Sequence, residues 1–334
     1  MKTRPLLFLL AALPALSVLA ADPSGLHVIA RYEIGGEGGY DYLKYEASTR
    51  RLFVAHGTKV EVLDTDTGRK VGEIAPTPGV HGTTFAPELG CGFTSNGAER
   101  SVTQFDLKTL ATLRVIKYTG VKPDAILYDP DTKRVFVANG DPKLGGDLTV
   151  IDATAGAITG TVDLGGKLED MALDGQGRLF VASEDRSLVH VVDSRGLKVL
   201  AHWPLAPGEE PTGMAIDRAH HRLFLACANK VMVVLDTDSG RVVATPAIAA
   251  DPDGAAFDAE AGLAFASCRE GWLSVIKQTG PDVYQELPAV PTGAGARTIA
   301  LDAAGHRIFV PTGTFDPAGH RLQPGSFAIL VVGH

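Results

Sequence analysis

Seven polar residues occupy one recurring position in the sequence, each five residues before an acid or, in one case, before Ala86. They are Asp41, His81, Asp124, Glu169, Thr212, Asp253 and Arg297. Carboxylates and imidazoles bind divalent cations, and a histidine beside a carboxylate is a common general acid or base. These seven residues are therefore the first candidates for a ligand-binding site, and we call them the polar ring.

Three interpretations of the polar ring stay open at this point. The first is structural, since Asp and Thr at the start of a strand accept or donate backbone hydrogen bonds and fix turns. The second is a divalent-cation site, and its candidate ligands are Asp41, His81, Asp124, Glu169 and Asp253. Gathered acids raise one another's pKa unless a cation or Arg297 compensates them. The third is catalysis, with His81 as general acid or base and Arg297 holding an anionic substrate.

The polar ring belongs to a repeat that runs through most of the chain. An apolar motif with a central aromatic residue, which we call the aromatic motif, recurs seven times, and residues 51–55 (Arg-Leu-Phe-Val-Ala) are a clear copy. The aromatic residues at positions 53, 93, 136, 180, 224, 265 and 309 are 40 to 44 residues apart. A period of this length with several short strands is typical of a β-propeller blade.

Each period contains four strand signals, labelled a to d from the centre outward. Strand a ends in the acid five residues after the polar-ring residue of that period, and strand b contains the aromatic motif. Strand c is an alternating run that usually ends in Asp, as at 148–152, and strand d follows a polar turn. Short alternating segments bounded by Asp, Gly and Asn are strands joined by hairpins. The sequence therefore predicts an all-β, seven-bladed propeller of four-stranded antiparallel blades.

The two ends of the repeat region predict how the ring closes. The seventh period lacks a strand d, whereas residues 26–34 form a spare strand before the first period. We expect this segment to pair as the outer strand of the last blade, which removes an open edge. Residues 26–334 are then a single propeller domain.

The repeat also places the polar ring in space. In a propeller, the start of strand a and the loop from b to c lie on the same face, around the mouth of the central funnel, where ligands commonly bind. The b–c loops contribute His56, Asn96, Asn139, Glu184, Asp185, Asn229, Arg269, Glu270 and Thr312. We therefore predict that His56 also binds ligand, together with the seven residues of the polar ring.

The repeat resembles a known family. Residues 136–140 (Phe-Val-Ala-Asn-Gly), followed by 148–152 (Leu-Thr-Val-Ile-Asp), resemble the YVTN repeat, and the likeness to the YncE-like periplasmic branch covers nearly all of the chain after residue 25. Blades two, six and seven depart from the motif. The family implies the propeller architecture and a periplasmic location. It does not imply one activity, because related propellers include binding proteins, lactonases, lyases and subunits of redox enzymes.

The N-terminus predicts export. Lys2 and Arg4 precede an apolar run, and small residues follow it, so residues 1–20 read as a signal peptide cleaved after Ala20 or Ala21. No later segment is long and apolar enough to span a membrane. The three cysteines form no C-x-x-C motif and are expected to be small buried thiols.

The net charge and the motifs of the sequence limit the classes of function that we expect. The net charge of −8 becomes −10 when Lys2 and Arg4 are removed, and no basic stripe is present, which disfavours nucleic acid as a partner. We expect a monomeric periplasmic protein that binds a small molecule or another periplasmic protein at its funnel face. The alternative is a metal-assisted lyase or lactonase at the funnel mouth. A divalent cation is the one cofactor that the sequence suggests.

Overall fold

The chain begins its folded part with a strand that returns to the last blade. The computed structural model describes residues 24–117, 122–141, 145–316 and 322–334, so the predicted signal peptide lies outside the described residues. The first strand, β1, is His27–Glu33. The strands of the described residues form seven four-stranded antiparallel sheets, one for each predicted blade.

Each blade is built from consecutive strands, and the first four blades follow one plan. Blade one contains β2 Tyr40–Glu46, β3 Arg51–His56, β4 Lys59–Asp64 and β5 Lys70–Ile74. Blade two contains β6 Val80–Ala86, a short 3₁₀ helix at Pro87–Leu89, β7 Cys91–Asn96, β8 Ser101–Asp106 and β9 Thr112–Lys117. Blade three contains β10 Pro123–Asp129, β11 Arg134–Asp141, β12 Gly145–Asp152 and β13 Ala157–Asp163. Blade four contains β14 Leu168–Leu173, β15 Arg178–Ser183, β16 Leu188–Asp193 and β17 Lys198–Pro204.

The remaining blades complete the ring. Blade five contains β18 Pro211–Asp217, β19 Arg222–Cys227, β20 Val231–Asp236 and β21 Val242–Ala244. Blade six contains β22 Pro252–Asp258, β23 Leu263–Cys268, β24 Trp272–Gly280 and β25 Val283–Pro291. Blade seven contains β26 Ala300–Asp302, β27 Arg307–Thr312 and β28 Ala328–Gly333. The first strands of neighbouring blades contact one another all the way round, so they surround the central channel.

Strand β1 closes the ring as the sequence predicted. It pairs antiparallel with β28, from His27 opposite Gly333 to Glu33 opposite Ala328, and the last sheet has the order β26, β27, β28, β1. The outer strand of blade seven therefore comes from the other end of the folded chain. Closure of this kind leaves the sheet without the exposed pairing edge that β28 would otherwise present.

The repeated aromatic residue of strand b holds neighbouring blades together. Phenylalanine occupies all seven positions, from Phe53 to Phe309, and none of these side chains is more than 2% exposed. They belong to apolar clusters that form between one blade and the next, as Phe136 does with Leu173 across blades three and four. Burial of one such side chain stabilises the fold by about 1.5–3 kcal/mol.

The arginine that begins the aromatic motif in five blades makes a second inter-blade contact. Arg134 donates to the carbonyl oxygen of Ser194 in the next blade at 2.8 Å, and Arg307 donates to that of Thr65 at 2.9 Å. Arg222 reaches Asp282 of the next blade at 2.6 Å. Blades two and six have Cys91 and Leu263 at this position instead. The arginine thus recurs because it ties a blade to the turn of its neighbour.

The cysteines and the helices agree with the sequence-based expectations. Cys91, Cys227 and Cys268 are buried and unpaired, and burial raises the pKa of Cys227 to about 12. Within the described part of the chain, no helix has the length and apolar character needed to cross a membrane.

Candidate functional site

A local irregularity at the start of each innermost strand turns the polar ring toward the funnel. Six of the seven ring residues are the second residue of an innermost strand, as Asp41 is in β2 and Asp124 is in β10. In each of these six strands the pairing with strand b shifts at this point, for example between Tyr40 and Leu43. Such β-bulges bend a strand and redirect side chains. Arg297, the seventh member, lies just before β26.

The polar ring lines a cavity of about 330 Å³ at this mouth of the channel, which we call the basin. All seven ring residues contribute to it. They are joined by Lys122, Lys167, Glu184, Glu210, Asp251 and Arg269. The lining contains seven carboxylates and four lysine or arginine side chains, so the basin carries excess negative charge and favours a cationic occupant.

His81 connects two carboxylates on one side of the basin. Its Nδ1 lies 2.5 Å from Oδ2 of Asp41 and 3.6 Å from Oδ1 of Asp124. An ionised carboxylate only accepts, so the Nδ1–H of His81 donates to Asp41. Asp41 is also 3.1 Å from Nη2 of Arg297, whereas the nearest lysine to Asp124, Lys122, is 4.0 Å away. Asp124 is therefore the less compensated of the two acids.

A glycine makes room for the imidazole. A Cβ atom on Gly97 would lie 2.7 Å from Nε2 of His81 and 3.1 Å from Cε of Lys122. Gly97 follows β7, in the b–c loop of the same blade as His81. The absence of a side chain at Gly97 therefore lets the His81 ring stand with its Nδ1 toward the two carboxylates.

Arg297 and Arg269 hold the opposite side of the basin. Arg297 Nε lies 2.9 Å from Oδ2 of Asp253, and Arg269 Nη2 lies 2.9 Å from Oδ1 of the same carboxylate. Asp253 is thus compensated by two guanidinium groups. Thr212 donates to the carbonyl oxygen of Pro252 at 2.9 Å, which is the inter-strand role that the structural interpretation predicts for a threonine here.

A lysine bridges the acids of blade four. Lys167 Nζ lies 2.7 Å from Oε1 of Glu169 and also pairs with Glu184. Below them, Tyr42 lines both the basin and a cavity of about 270 Å³ inside the channel. Burial and the charge of Glu169 raise the pKa of Tyr42 well above its ordinary value, so its hydroxyl stays protonated.

The carboxylates of the basin differ in how readily they ionise. Burial raises the pKa of Asp41, but the hydrogen bond from His81 and the charge of Arg297 outweigh it and leave that pKa lowered. Burial raises the pKa of Asp124, the charge of Asp41 adds to the rise, and the attraction of His81 does not offset them. Burial, together with the charge of Asp124, raises the pKa of Glu169 well above its usual range. A bound cation would favour ionisation at both raised sites.

One predicted ligand-binding residue lies outside the basin. His56 is only 1% exposed; its Nδ1 is 3.4 Å from Oε1 of Glu61, and its ring contacts Phe327 with centroids 4.7 Å apart. Lys59 and Lys70 also pair with Glu61. The structure therefore places His56 in a buried polar cluster of blade one rather than with the polar ring.

Sequence reasoning missed several charged residues of the basin that share a simple signal. Lys122, Lys167, Glu210 and Asp251 each stand two residues before a member of the polar ring. The same repeat alignment that identified the polar ring contains this second position. Glu184 and Arg269, by contrast, were among the predicted b–c loop residues and do line the basin.

Asp41, His81 and Asp124 form the group best suited to a metal ion. One ligand atom from each of these three half-buried residues lies within 4.8 Å of the other two. A cation would replace the proton that His81 Nδ1 donates to Asp41, and two carboxylate oxygens with an imidazole nitrogen are a mixed donor set that suits Mn²⁺ or Zn²⁺. The other proposed ligands, Glu169 and Asp253, lie outside this group and pair with Lys167 and with the two arginines.

Seven four-stranded antiparallel sheets around one channel, with a polar basin at one mouth, define a seven-bladed β-propeller. No protein-family model and no curated protein matches the sequence. The chain is similar to a chain of hydrazine synthase from Kuenenia stuttgartiensis, with a TM-score of 0.71 and 17% identity over 82% of this chain and 92% of that one. It is also similar to a chain in the crystal structure of the mitotic checkpoint complex, with a TM-score of 0.75 and 13% identity over 98% and 99% of the two chains. At these identities the likeness concerns the fold alone.

Proposed function

We propose that this protein is a binding protein that holds a divalent cation, and with it a small ligand, in the basin. The observation that carries the proposal is the group of Asp41, His81 and Asp124, whose ligand atoms lie within 4.8 Å of one another. Three protein ligands leave coordination positions open toward the mouth of the funnel, where a ligand could bind the same cation. The net negative charge of the lining supports a cationic occupant.

The residue types of the basin support binding over nucleophilic catalysis. The part of its lining that the structure describes contains no serine and no cysteine. Its threonines are engaged with the backbone: Thr212 donates to Pro252, and Thr298 donates to the carbonyl oxygen of Asp41 at 2.8 Å. A hydroxyl or thiol nucleophile works beside a base, and the described lining pairs neither a serine nor a cysteine with His81.

The test is a calorimetric titration of metal-free mature protein with Mn²⁺ and Zn²⁺. We expect one cation per chain, and we expect Asp124→Asn to weaken binding by about 100-fold or more because it removes a charged ligand and keeps the side-chain volume. Asp163→Asn is the matched control, since Asp163 is exposed at the end of β13 in the same blade. Equal affinity of Asp124→Asn and Asp163→Asn would contradict the proposed site.

A metal-assisted lyase or lactonase is the second candidate. It is supported by the position of His81 between two carboxylates, which suits a general acid or base beside a cation. The assay is hydrolysis or elimination on a panel of lactones with and without Mn²⁺. Turnover that EDTA abolishes, Mn²⁺ restores and Asp124→Asn lacks would favour the enzyme; a protein that binds Mn²⁺ but turns over no member of the panel would favour the binding role.

The cellular setting is part of the proposal. Lys2, Arg4 and the apolar run after them support a signal peptide removed after Ala20 or Ala21, and the repeat motif supports a YVTN propeller of the YncE-like periplasmic branch. We propose a single domain at 26–334, monomeric in the periplasm, whose funnel face also serves for a periplasmic protein partner. N-terminal sequencing of exported protein tests the cleavage, and light scattering tests the monomer. We expect no salt-dependent association with single-stranded DNA.

A further inference from the structure

A larger cavity lies directly beside the basin. Its volume is about 700 Å³ and its surface is more apolar than polar; we call it the side cavity. The apolar part of its wall comes from Tyr40, Phe315, Leu322 and Pro324. Arg297 lines both the side cavity and the basin, so the two spaces adjoin at this side chain. One molecule of moderate size could therefore occupy both.

The aromatic part of the wall is held firmly. Tyr40 stacks on Phe327, with ring centroids 4.7 Å apart and planes 5° apart, and its hydroxyl donates to the carbonyl oxygen of Gly295 at 2.6 Å. Phe315 lies 6.4 Å from the Tyr40 ring. A Cβ atom on Gly295 would lie 2.1 Å from the Phe315 ring, so only glycine at this position lets that ring approach. The wall is a preformed apolar surface, as small-molecule sites usually are.

Arg297 offers a fixed donor at the boundary between the two spaces. Its Nη2 donates to Oδ1 of Asp41 at 3.1 Å, and its Nε lies 2.9 Å from Oδ2 of Asp253 in an ion pair without a hydrogen bond. Among the residues that the structure describes, its Nη1 has no hydrogen-bonding partner. Two carboxylates thus orient a planar guanidinium whose remaining edge is free to bind an anionic group.

We propose that the side cavity binds the apolar body of an amphipathic carboxylate whose carboxylate group accepts from Nη1 of Arg297. The inference rests on the proposed function, because the cation at Asp41, His81 and Asp124 offsets much of the negative charge at this end of the ligand site. Glu37 and Asp316 on the lining of the side cavity disfavour an anion beside them, which orients the carboxylate toward Arg297. A volume of about 700 Å³ lies within the range of small-molecule sites.

The experiment uses the full mature chain loaded with Mn²⁺ and three probes that each contain a straight ten-carbon chain, below their micellar concentrations. Decanoate, decyltrimethylammonium and 1-decanol share an apolar body and differ in the charge of the head group. We expect decanoate to bind about tenfold more tightly than either of the other two, because only its carboxylate pairs with Arg297. Binding is measured by calorimetry, and Mn²⁺ affinity is measured separately on the same protein.

Two variants locate the binding site. Leu322→Asp places a charge in the side cavity and should weaken decanoate binding by about tenfold or more. Leu200→Asp is the matched control, because Leu200 is 55% exposed on β17, and it should leave decanoate binding unchanged. Neither variant should change Mn²⁺ affinity, since neither residue lines the basin.

A third variant guards against a folding defect in Leu322→Asp. Gly39 lines the side cavity, and a Cβ atom there would meet no described atom within 4 Å. Gly39→Leu should therefore fold normally, fill part of the cavity and weaken decanoate binding as Leu322→Asp does.

The outcomes separate this inference from the proposed function. Tighter binding of decyltrimethylammonium than of decanoate, or decanoate binding unaffected by both Leu322→Asp and Gly39→Leu, would overturn the inference. Absence of Mn²⁺ binding, with decanoate binding still lost in both variants, would refute the cation site and support the side cavity. Mn²⁺ binding with no affinity for decanoate would support the cation site and refute the side cavity as a ligand site.

Discussion

Asp174 and Asp124 lie at opposite ends of the innermost strands, in opposite environments. At the end away from the basin, Asp174 accepts from the backbone N–H groups of Gln176 and Arg178 at 2.7 and 3.0 Å, and from Nε of Arg178 at 2.7 Å. At the basin end of a neighbouring strand, no described backbone N–H donates to the carboxylate of Asp124, which has His81 at 3.6 Å and Lys122 at 4.0 Å. The hydrogen-bonding capacity of an aspartate is thus satisfied by backbone N–H groups at Asp174 and not at Asp124.

The pKa values follow this difference. Burial raises the pKa of Asp174, but its backbone hydrogen bonds and Arg178 outweigh burial and lower it overall. Hydrogen bonds from Thr49 and Ser48 likewise outweigh burial and lower the pKa of Glu46, the corresponding acid of blade one. At the basin end, burial prevails and the pKa of Asp124 is raised.

The comparison divides the acids of the repeat into two kinds. At the far end, Glu46 and Asp174 fix the turn from strand a to strand b, so their ionised form stabilises the fold. Asp124 fixes no turn, and its ionised form is costly in the metal-free protein. A group kept at a cost to stability is a candidate for function, because strain and unfavourable charge gather at functional sites.

The largest expected effect that separates the two ends is stabilisation by a cation. At a Mn²⁺ concentration 100 times the dissociation constant, the free energy of unfolding should rise by about 2.7 kcal/mol. Asp124→Asn should abolish this increment, whereas Asp174→Asn should keep it, since Asp174 is remote from the basin. Urea unfolding with and without Mn²⁺ measures both. An increment that survives in Asp124→Asn would place the cation elsewhere.

The next effect concerns the metal-free protein. Asp174→Ala should lower the free energy of unfolding by about 2 kcal/mol, because it leaves two backbone N–H groups and Arg178 without their acceptor. Asp124→Ala should not lower it, because the carboxylate removed there is poorly compensated. Urea unfolding in EDTA tests the pair, and losses of equal size at both ends would remove the distinction.

The sequence predicted the fold in detail because the repeat is carried by core residues. The aromatic of strand b recurs in all seven blades, the arginine before it in five and the acid that ends strand a in six, and each answers a packing or turn requirement. Those requirements fix the spacing of 40 to 44 residues and hence the number of blades. The closing strand could be predicted because a missing strand at one end matched a spare strand at the other.

The polar ring was predictable for the same reason, and His56 was not. All seven ring residues line the basin, because the bulge at the start of strand a recurs from blade to blade. His56 ends β3, a strand that is buried on both faces after Arg51, so its side chain lies in the interior. Loop position alone did not contain this information.

The side cavity could not have been found from the repeat. Apart from Tyr40 and Arg297, its residues come from the crossing before blade one and from the long b–c loop of blade seven, two segments without counterparts in other blades. Aligning the blades compares equivalent positions, so it cannot predict a role for Phe315 or Leu322. Only the folded ring brings Tyr40 and Phe315 together.

A smaller effect is expected from the residue that makes room for His81. Gly97→Ala should weaken Mn²⁺ binding by about tenfold, because the added methyl displaces the imidazole from the two carboxylates. Gly39→Ala is the matched control, since its Cβ meets no described atom within 4 Å. Calorimetry on both variants checks the prediction. Unchanged binding by Gly97→Ala would mean that His81 is not a ligand in its present position.

The smallest effect is a difference in how the two ends respond to pH in the metal-free protein. The pKa of Asp174 is lowered on folding, so its contribution to stability is present above the ordinary pKa of a carboxyl, about 4, and is lost as pH falls through the lowered value. The deficit of Asp174→Asn should therefore shrink on acidification.

The pKa of Asp124 is raised on folding, so the sign is reversed there. Its contribution is present below the ordinary pKa and is lost as pH rises through the raised value. Asp124→Asn should therefore gain stability relative to the unmodified protein as pH rises from the ordinary to the raised pKa. Asp174→Asn should lose stability relative to the unmodified protein at lower pH, as pH rises from the lowered to the ordinary pKa. Urea unfolding of the three proteins across this pH range measures the two slopes. Slopes of the same sign would show that the two ends of the strands hold their acids alike, and the basin would then lack the uncompensated carboxylate on which cation binding depends.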